Sequence, residues 1–280
     1  MKKYSIGTMV ARIFLILYSI IVIIPFAMLF LTSTKSNAEF YKNIWAFSGD
    51  PVGNTIANYS KAYTDGNIGS SFLNTVFICG AAVVLTLALS AMVSYAITRR
   101  RLKRAESLSF LYLIGLLIPG LVGLTPMFLL ARLLNLLDTR FILILSYGTG
   151  TIPFCVFVMT AFFRTIPQDL EDSASIDGAN PWQTFGIIIL PLVKPALITA
   201  GIFCFLDYWS DYMRGLLFII SPEKSTISMR MLKFRVVSGF KIDWGVTMAA
   251  SVLFILPVLI IYAIFQRQLI SGLTAGSVKG

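Results

Sequence analysis

The sequence of 280 residues contains no histidine, which removes the commonest metal ligand and general base. Its three cysteines, Cys79, Cys155 and Cys204, lie far apart inside apolar blocks. They read as small core residues, not as a disulfide or metal framework. No Gly-Lys dipeptide occurs, so the chain lacks the phosphate-cradling loop in which Gly-Lys precedes Ser or Thr. Charge is also scarce: 13% of residues carry one, against about a quarter in soluble domains. What remains is apolar, with 57% hydrophobic residues and a mean hydropathy of +0.82. The apolar residues fall in blocks of about 20 or more, the length that crosses a bilayer as a helix. The expected class is all-α, a polytopic transmembrane helical bundle.

Six spans are expected, at about 12–31, 72–98, 107–130, 141–163, 196–220 and 246–265. Pro25, Pro119-Gly120, Pro126 and Pro153 interrupt three of them, which a packed bundle tolerates because neighbouring helices satisfy the freed carbonyls. The first block reads as a span; as a cleaved signal peptide its apolar region would be too long, and no A-x-A-like site follows. Orientation follows from the basic residues in short connections. The tightest one carries "RRRLKR", with Arg99, Arg100, Arg101, Lys103 and Arg104. Lys2, Lys3, Arg12, Arg164, Lys194, Arg267 and Lys279 fall on the same side. Lys224, Arg230, Lys233, Arg235 and Lys241 fall opposite, mostly in longer segments, which cross largely regardless of charge. Both termini are therefore expected in the cytoplasm.

That orientation places 164–195 in the cytoplasm, where Asp169, Glu171, Asp172 and Asp177 form an acidic knob in a chain of net charge +10. Pro167 suits the first turn of a short helix, and the acids near that end complement its dipole. Ser173 and Ala174 are small and allow close approach. Asp177-Gly178 reads as a turn, since glycine takes the left-handed conformation that ends a helix. Asn180 then caps a second helix, with Pro181 at its first position and Gln183 where a capping box places it. Pro191 and Pro195 close the segment. The pattern predicts a helix–turn–helix peg with an acidic rim, although an ordinary solvated loop would also carry surface acids.

The order of these residues resembles the EAA loop of binding-protein-dependent ABC transporter permeases. Asp172, Ser173 and Ala174 stand at the E-A-A positions, Asp177-Gly178-Ala179 at D-G-A, and Leu190-Pro191 at the closing L-P. Asp for Glu and Ser for Ala are conservative departures. The C-terminal stretch from Asp243 is similar to the maltose-type, oligosaccharide branch. Its matching features are Trp244-Gly245, Leu256-Pro257, Gln266-Arg267, Gly272, Gly276 and Lys279-Gly280. "YWSDY", Tyr208 to Tyr212, resembles that branch's W-N-D-F segment, with Ser210 in place of asparagine.

The resemblance implies a permease subunit of an ATP-driven carbohydrate importer in a bacterial or archaeal inner membrane. The loop would dock on a cytoplasmic ATPase subunit, whose closure drives alternating access. Expected partners are a homologous second permease, two ATPase subunits, an extracytoplasmic solute-binding protein, a carbohydrate substrate and the lipid membrane; no nucleic acid is expected. ATP and Mg would be bound by the ATPase subunits, and no cofactor by this chain. Gly272, Gly276 and Lys279 would reach the ATPase, unless the tail is simply a frayed terminus. The domain reading is 1–71 for the first helix and an outer segment, 72–270 for the permease core, and 271–280 for a cytoplasmic tail. Outer segments 32–71 and 221–245 are where the binding protein would dock.

The fifth span carries Asp207, Asp211 and Arg214, with Tyr208, Trp209 and Tyr212 beside them. Spacings of four and three place the charges near one helix face, where Asp211 can pair with Arg214. Charges at this depth face a bundle interior or a water-filled cavity. A substrate path with aromatic faces for sugar rings and an ion pair that fixes packing both fit. Arg214 as a cationic lining would favour acidic saccharides. A secondary transporter would often show internal inverted repeats, which are not evident here. A membrane enzyme would need a convergent catalytic cluster, which the two aspartates alone do not supply.

Overall fold

The computed structural model describes residues 6–64, 67–99, 104–237 and 242–275. Helices dominate, and no strand occurs among the described residues. The chain divides into two compact units, Met1–Ser70 with Arg230–Pro257, and Ser71–Met229 with Val258–Gly280. The stretch Arg230–Pro257, read from the sequence largely as core, thus clusters with the N-terminal segment.

In the first unit, α1 (Ile6–Ser33) keeps its helix through Pro25, and its apolar stretch has no buried share. The connection after it is tied by polar groups. Lys35, fully buried, donates to the carbonyls of Asn43 at 3.1 Å and Ile44 at 2.7 Å, and burial lowers its pKa. α2 (Asn37–Lys42) starts with a capping box between Ser36 and Glu39. The Glu39 carboxylate also accepts from Gly49 N–H at 2.7 Å and Asn54 Nδ2 at 2.9 Å. α3 (Pro51–Thr64) places Asn58 Nδ2 against the carbonyls of Ser33 and Lys35. A side chain on Gly245 would place its Cβ 2.3 Å from the Lys35 carbonyl oxygen, so this position admits only glycine without a backbone shift. Trp244 stacks on Phe40 and donates its backbone N–H to Asn37.

The second unit holds most of α4 (Ile68–Arg99), followed by α5 (Ala105–Leu117) and α6 (Leu124–Leu133). α7 (Arg140–Gly150), α8 (Ile152–Phe163) and α9 (Asp169–Ile176) come next. α10 (Pro181–Gln183), a π-helical turn Thr184–Ile189 and α11 (Leu190–Leu192) lead into α12 (Lys194–Ser210) and α13 (Met213–Phe218). α14 (Ile227–Val237) and α15 (Trp244–Ala275) follow, each divided between the two units. Asp138 accepts from Lys224 Nζ at 2.8 Å and from the Ser221 and Ile220 N–H groups. Lys224, then Ser221, hold its carboxyl far below the usual range.

Among the described residues, three helices are long and apolar enough to cross a membrane, and up to six spans result if each bent pair is one. The third expected span bends by 94° between Ala105–Leu117 and Gly120–Leu133, at the predicted Pro119-Gly120 break. The fourth bends by 44°, at Thr151; Pro153, early in α8, has no N–H to continue the preceding helix. The fifth was expected to run unbroken over 196–220. Instead α12 stops at Ser210, and Asp211 is extended with ψ of 121°.

The carboxyl of Glu39 falls from an ordinary 4.5 to about 2, chiefly through the Ser36 and Gly49 backbone donors. Its contribution is therefore complete above pH 4.5 and lost as pH falls through about 2. Glu39→Gln should lower the thermal midpoint of detergent-purified protein at pH 7, with an effect that shrinks over that acid range.

Candidate functional site

Two regions gather the sequence-predicted site residues: the peg after α8 and a charged break at membrane depth. The peg forms as two capped pieces. α9 begins at Asp169 after Gln168, so Pro167 lies ahead of the helix and not in its first turn. Asp169, Glu171 and Asp172 occupy the first turn, where the helix dipole favours them. At the other end Ala179 N–H reaches the Ala174 carbonyl at 2.9 Å. Gly178, at φ +81°, makes the left-handed turn. Asn180 Oδ1 accepts from Trp182 and Gln183 N–H, and Gln183 closes the capping box.

The peg separates the predicted residues. Asp172, Ser173, Asp177, Gly178 and Pro191 are exposed, Ala179 and Leu190 are half-buried, and Ala174 is buried. Glu171 turns inward: its Oε1 lies 3.2 Å from Arg99 Nε and its Oε2 accepts from Tyr95 at 3.3 Å. It is not part of an acidic rim. The tip has instead an apolar component that charge-based reading passed over, with Ile176 87% and Trp182 70% exposed. Exposed apolar side chains ringed by polar ones mark contact surfaces. Their signal in the sequence is an isoleucine and a tryptophan within two positions of the turn and cap.

At the second region two helix breaks face each other. Tyr147, near the end of α7, donates to Asp211 Oδ1 at 3.4 Å. Arg214 Nη1 lies 3.5 Å from Asp211 Oδ2 and 3.9 Å from Asp207 Oδ2, with its guanidinium 5.3 Å from the Tyr147 ring centroid. The ion pair expected from helical spacing is formed, but across a break. The Asp211 carboxylate takes the Arg214 backbone N–H at 2.9 Å, and Ser228 Oγ donates to the Asp211 carbonyl at 2.6 Å. Side chains thereby replace the helical partners lost there.

Tyr208 and Trp209 are fully buried and not presented for stacking on a sugar. The Tyr208 hydroxyl bonds Thr151 and Thr86, the latter at 2.7 Å, and its ring stacks on Tyr147 at 5.0 Å. Trp209 packs between Phe72 and Phe205. Asp207, 54% exposed, and Tyr212 are the open members. Two carboxyls outnumber one guanidinium, so Arg214 brings no surplus positive charge for an acidic saccharide. Thr86, Tyr147 and Thr151 belong to this network and were missed. The run Tyr147-Gly148-Thr149-Gly150-Thr151, polar and glycine-rich inside a span, was the available signal. Gly272 lies in α15. Gly276, Lys279, Lys2, Lys3, Arg100, Arg101, Lys103 and Lys241 lie outside the described residues.

Broken spans and a capped helical peg fit a membrane transport permease. Residues 103–274 match the family described as the binding-protein-dependent transport system inner membrane component, and the chain belongs to that family. It is 32% identical to the diacetylchitobiose uptake system permease protein NgcG of Streptomyces coelicolor, over 96% of this chain and 88% of that protein. It is 34% identical to the sulfoquinovosyl glycerol transport system permease protein SmoH of Agrobacterium fabrum, over 91% and 88%. The fold is similar to a chain in the crystal structure of a bacterial ABC transporter involved in import of the acidic polysaccharide alginate. That likeness has a TM-score of 0.84 at 24% identity and covers 95% of this chain and 99% of that one. The chain is an inner-membrane permease component, not an ATPase.

Gly178→Ala should cost about 1 kcal/mol of peg stability through its left-handed backbone, read as faster amide exchange over 169–183. Arg214→Ala should cost about 3 kcal/mol, because it strands the largely buried Asp211 carboxyl. Additional Asp207→Asn and Asp211→Asn changes should recover much of that loss in thermal unfolding.

Proposed function

We propose that this chain is one of two permease subunits in an ATP-driven importer for carbohydrates, with an oligosaccharide as substrate. The observation that carries the coupling role is the peg, where a capping box and a left-handed glycine hold Ile176, Asp177 and Trp182 at an exposed tip. Such a tip fits a cleft in a partner, with aromatic and aliphatic side chains as anchors and flanking acids fixing register. The names of the relatives, a diacetylchitobiose uptake system and a sulfoquinovosyl glycerol transport system, support a saccharide as the transported class.

In this reading the peg and both termini face the cytoplasm, in keeping with the basic connection after α4. Two ATPase subunits bind ATP and Mg, and their closure moves the peg. A homologous second permease supplies the other half of the path. An extracytoplasmic solute-binding protein docks on 32–71 and 221–245, where the Glu39 and Asp138 knots stiffen the backbone. Gly272, Gly276 and Lys279 contribute a further ATPase contact. The exposed Asp207 and Tyr212 are the residues left to meet substrate, while Tyr208, Trp209, Asp211 and Arg214 shape the break around them.

A mild-detergent pull-down of tagged chain from native membranes, read by mass spectrometry, tests the assignment. Unmodified protein should bring down an ATPase subunit, a second permease and a solute-binding protein. Asp177→Lys with Gly178→Leu should lose the ATPase. Absence of any ATPase under every mild condition would sink the importer reading.

A further inference from the structure

We infer that Glu171 and Arg99 form a buried transmission strut that carries displacement of the peg into the long helix α4. This rests on the reading of the peg as the ATPase-docking element.

Glu171 lies in the first turn of α9, and its side chain is 16% exposed. Arg99 is the last residue of α4 and is 8% exposed. Their 3.2 Å contact joins the two helices directly. Tyr95, one turn earlier on α4, donates to the other carboxylate oxygen at 3.3 Å. A second guanidinium nitrogen of Arg99 donates to the carbonyl of Ile166, just ahead of the peg. The Tyr95 ring packs against Phe185 of the π-helical turn at 4.9 Å and Phe163 at the end of α8 at 6.3 Å. One end of α4 is thus fixed to the entry, the first helix and the exit of the peg.

Apolar contacts between helices can slide, because their energy depends weakly on direction. The Arg99–Glu171 contact is an ion pair, and the Tyr95–Glu171 and Arg99–Ile166 hydrogen bonds beside it are charge-assisted and directional; low local dielectric strengthens all three. Displacing α9 without α4 would leave both charges unpaired away from water, which is strongly unfavourable. α4 also reaches the charged break: Thr86 donates to the Gly148 carbonyl at 3.0 Å and lies 2.7 Å from the Tyr208 hydroxyl. A helix of 32 residues therefore links the peg to both breaks by contiguous polar contacts. Glu171 and Arg99 are positioning residues; neither touches substrate or nucleotide.

The test uses the whole importer complex in lipid nanodiscs, with Ser210→Cys as an exposed reporter beside the break. Its labelling by a charged maleimide is timed with and without Mg and a non-hydrolysable ATP analogue. Nucleotide should change the rate about tenfold in the parent. Glu171→Gln and Arg99→Gln should keep the ATPase subunits and their nucleotide affinity, yet cut the response below about twofold. The exchanged pair, Glu171→Arg with Arg99→Glu, should regain part of it, which a mere packing defect would not allow. An unchanged response in either single variant overturns the strut, as does a parent that binds ATPase without responding. Loss of the ATPase from the single variants also overturns it, since Glu171 would then be a docking residue. An unmodified chain that brings down no ATPase refutes the docking reading itself. Should the charged variants fail to fold, Tyr95→Phe removes one hydroxyl and should lower the response about threefold; no change there equally overturns the proposal.

Discussion

A backbone at membrane depth must satisfy its own polar groups, because lipid offers no partner for a free N–H or carbonyl. A span that breaks must therefore bring side chains to the break. At Asp211 the Arg214 N–H goes to the Asp211 carboxylate and the Asp211 carbonyl goes to Ser228. At Gly148 the carbonyl goes to Thr86. These substitutions join α4, the α7–α8 break and the α12–α13 break in one network, with Tyr147 and Tyr208 stacked between. The charges that look expensive in the sequence are what lets two interrupted helices coexist there.

The same constraint separates roles within the peg. A carboxylate in water costs little and can wait for a partner; one taken out of water must be paired at once. Asp172 and Asp177 are of the first kind and Glu171 of the second, although they are close neighbours on one short acidic run. The peg therefore has an outward tip made for a partner and an inward anchor made for α4. A helix gripped at its base and exposed at its tip is suited to passing displacement along.

Much of the fold and part of the site were legible in residues whose effects are local. Asn180 with Gln183 wrote a capping box, and Gly178 wrote a left-handed turn, because caps and turns act over a few residues. Pro119-Gly120 marked its bend for the same reason. The break at Asp211 was not legible: the spacing of Asp207, Asp211 and Arg214 fits a continuous helix, and only competition from the Asp211 carboxylate for the Arg214 N–H ends it. Nor could Tyr147 and Thr151 be assigned, since their partners Asp211 and Tyr208 lie more than fifty residues away.

By itself the sequence determined the class, the rough placement of most apolar blocks, and the capped peg. Span length, helix caps and proline geometry are set by contiguous residues. The tertiary structure alone decided which charges are spent inside. It paired Glu171 with Arg99, set Arg214 between two carboxyls and enclosed Tyr208 and Trp209. Burial and pairing depend on what distant segments bring alongside, and no local pattern encodes that.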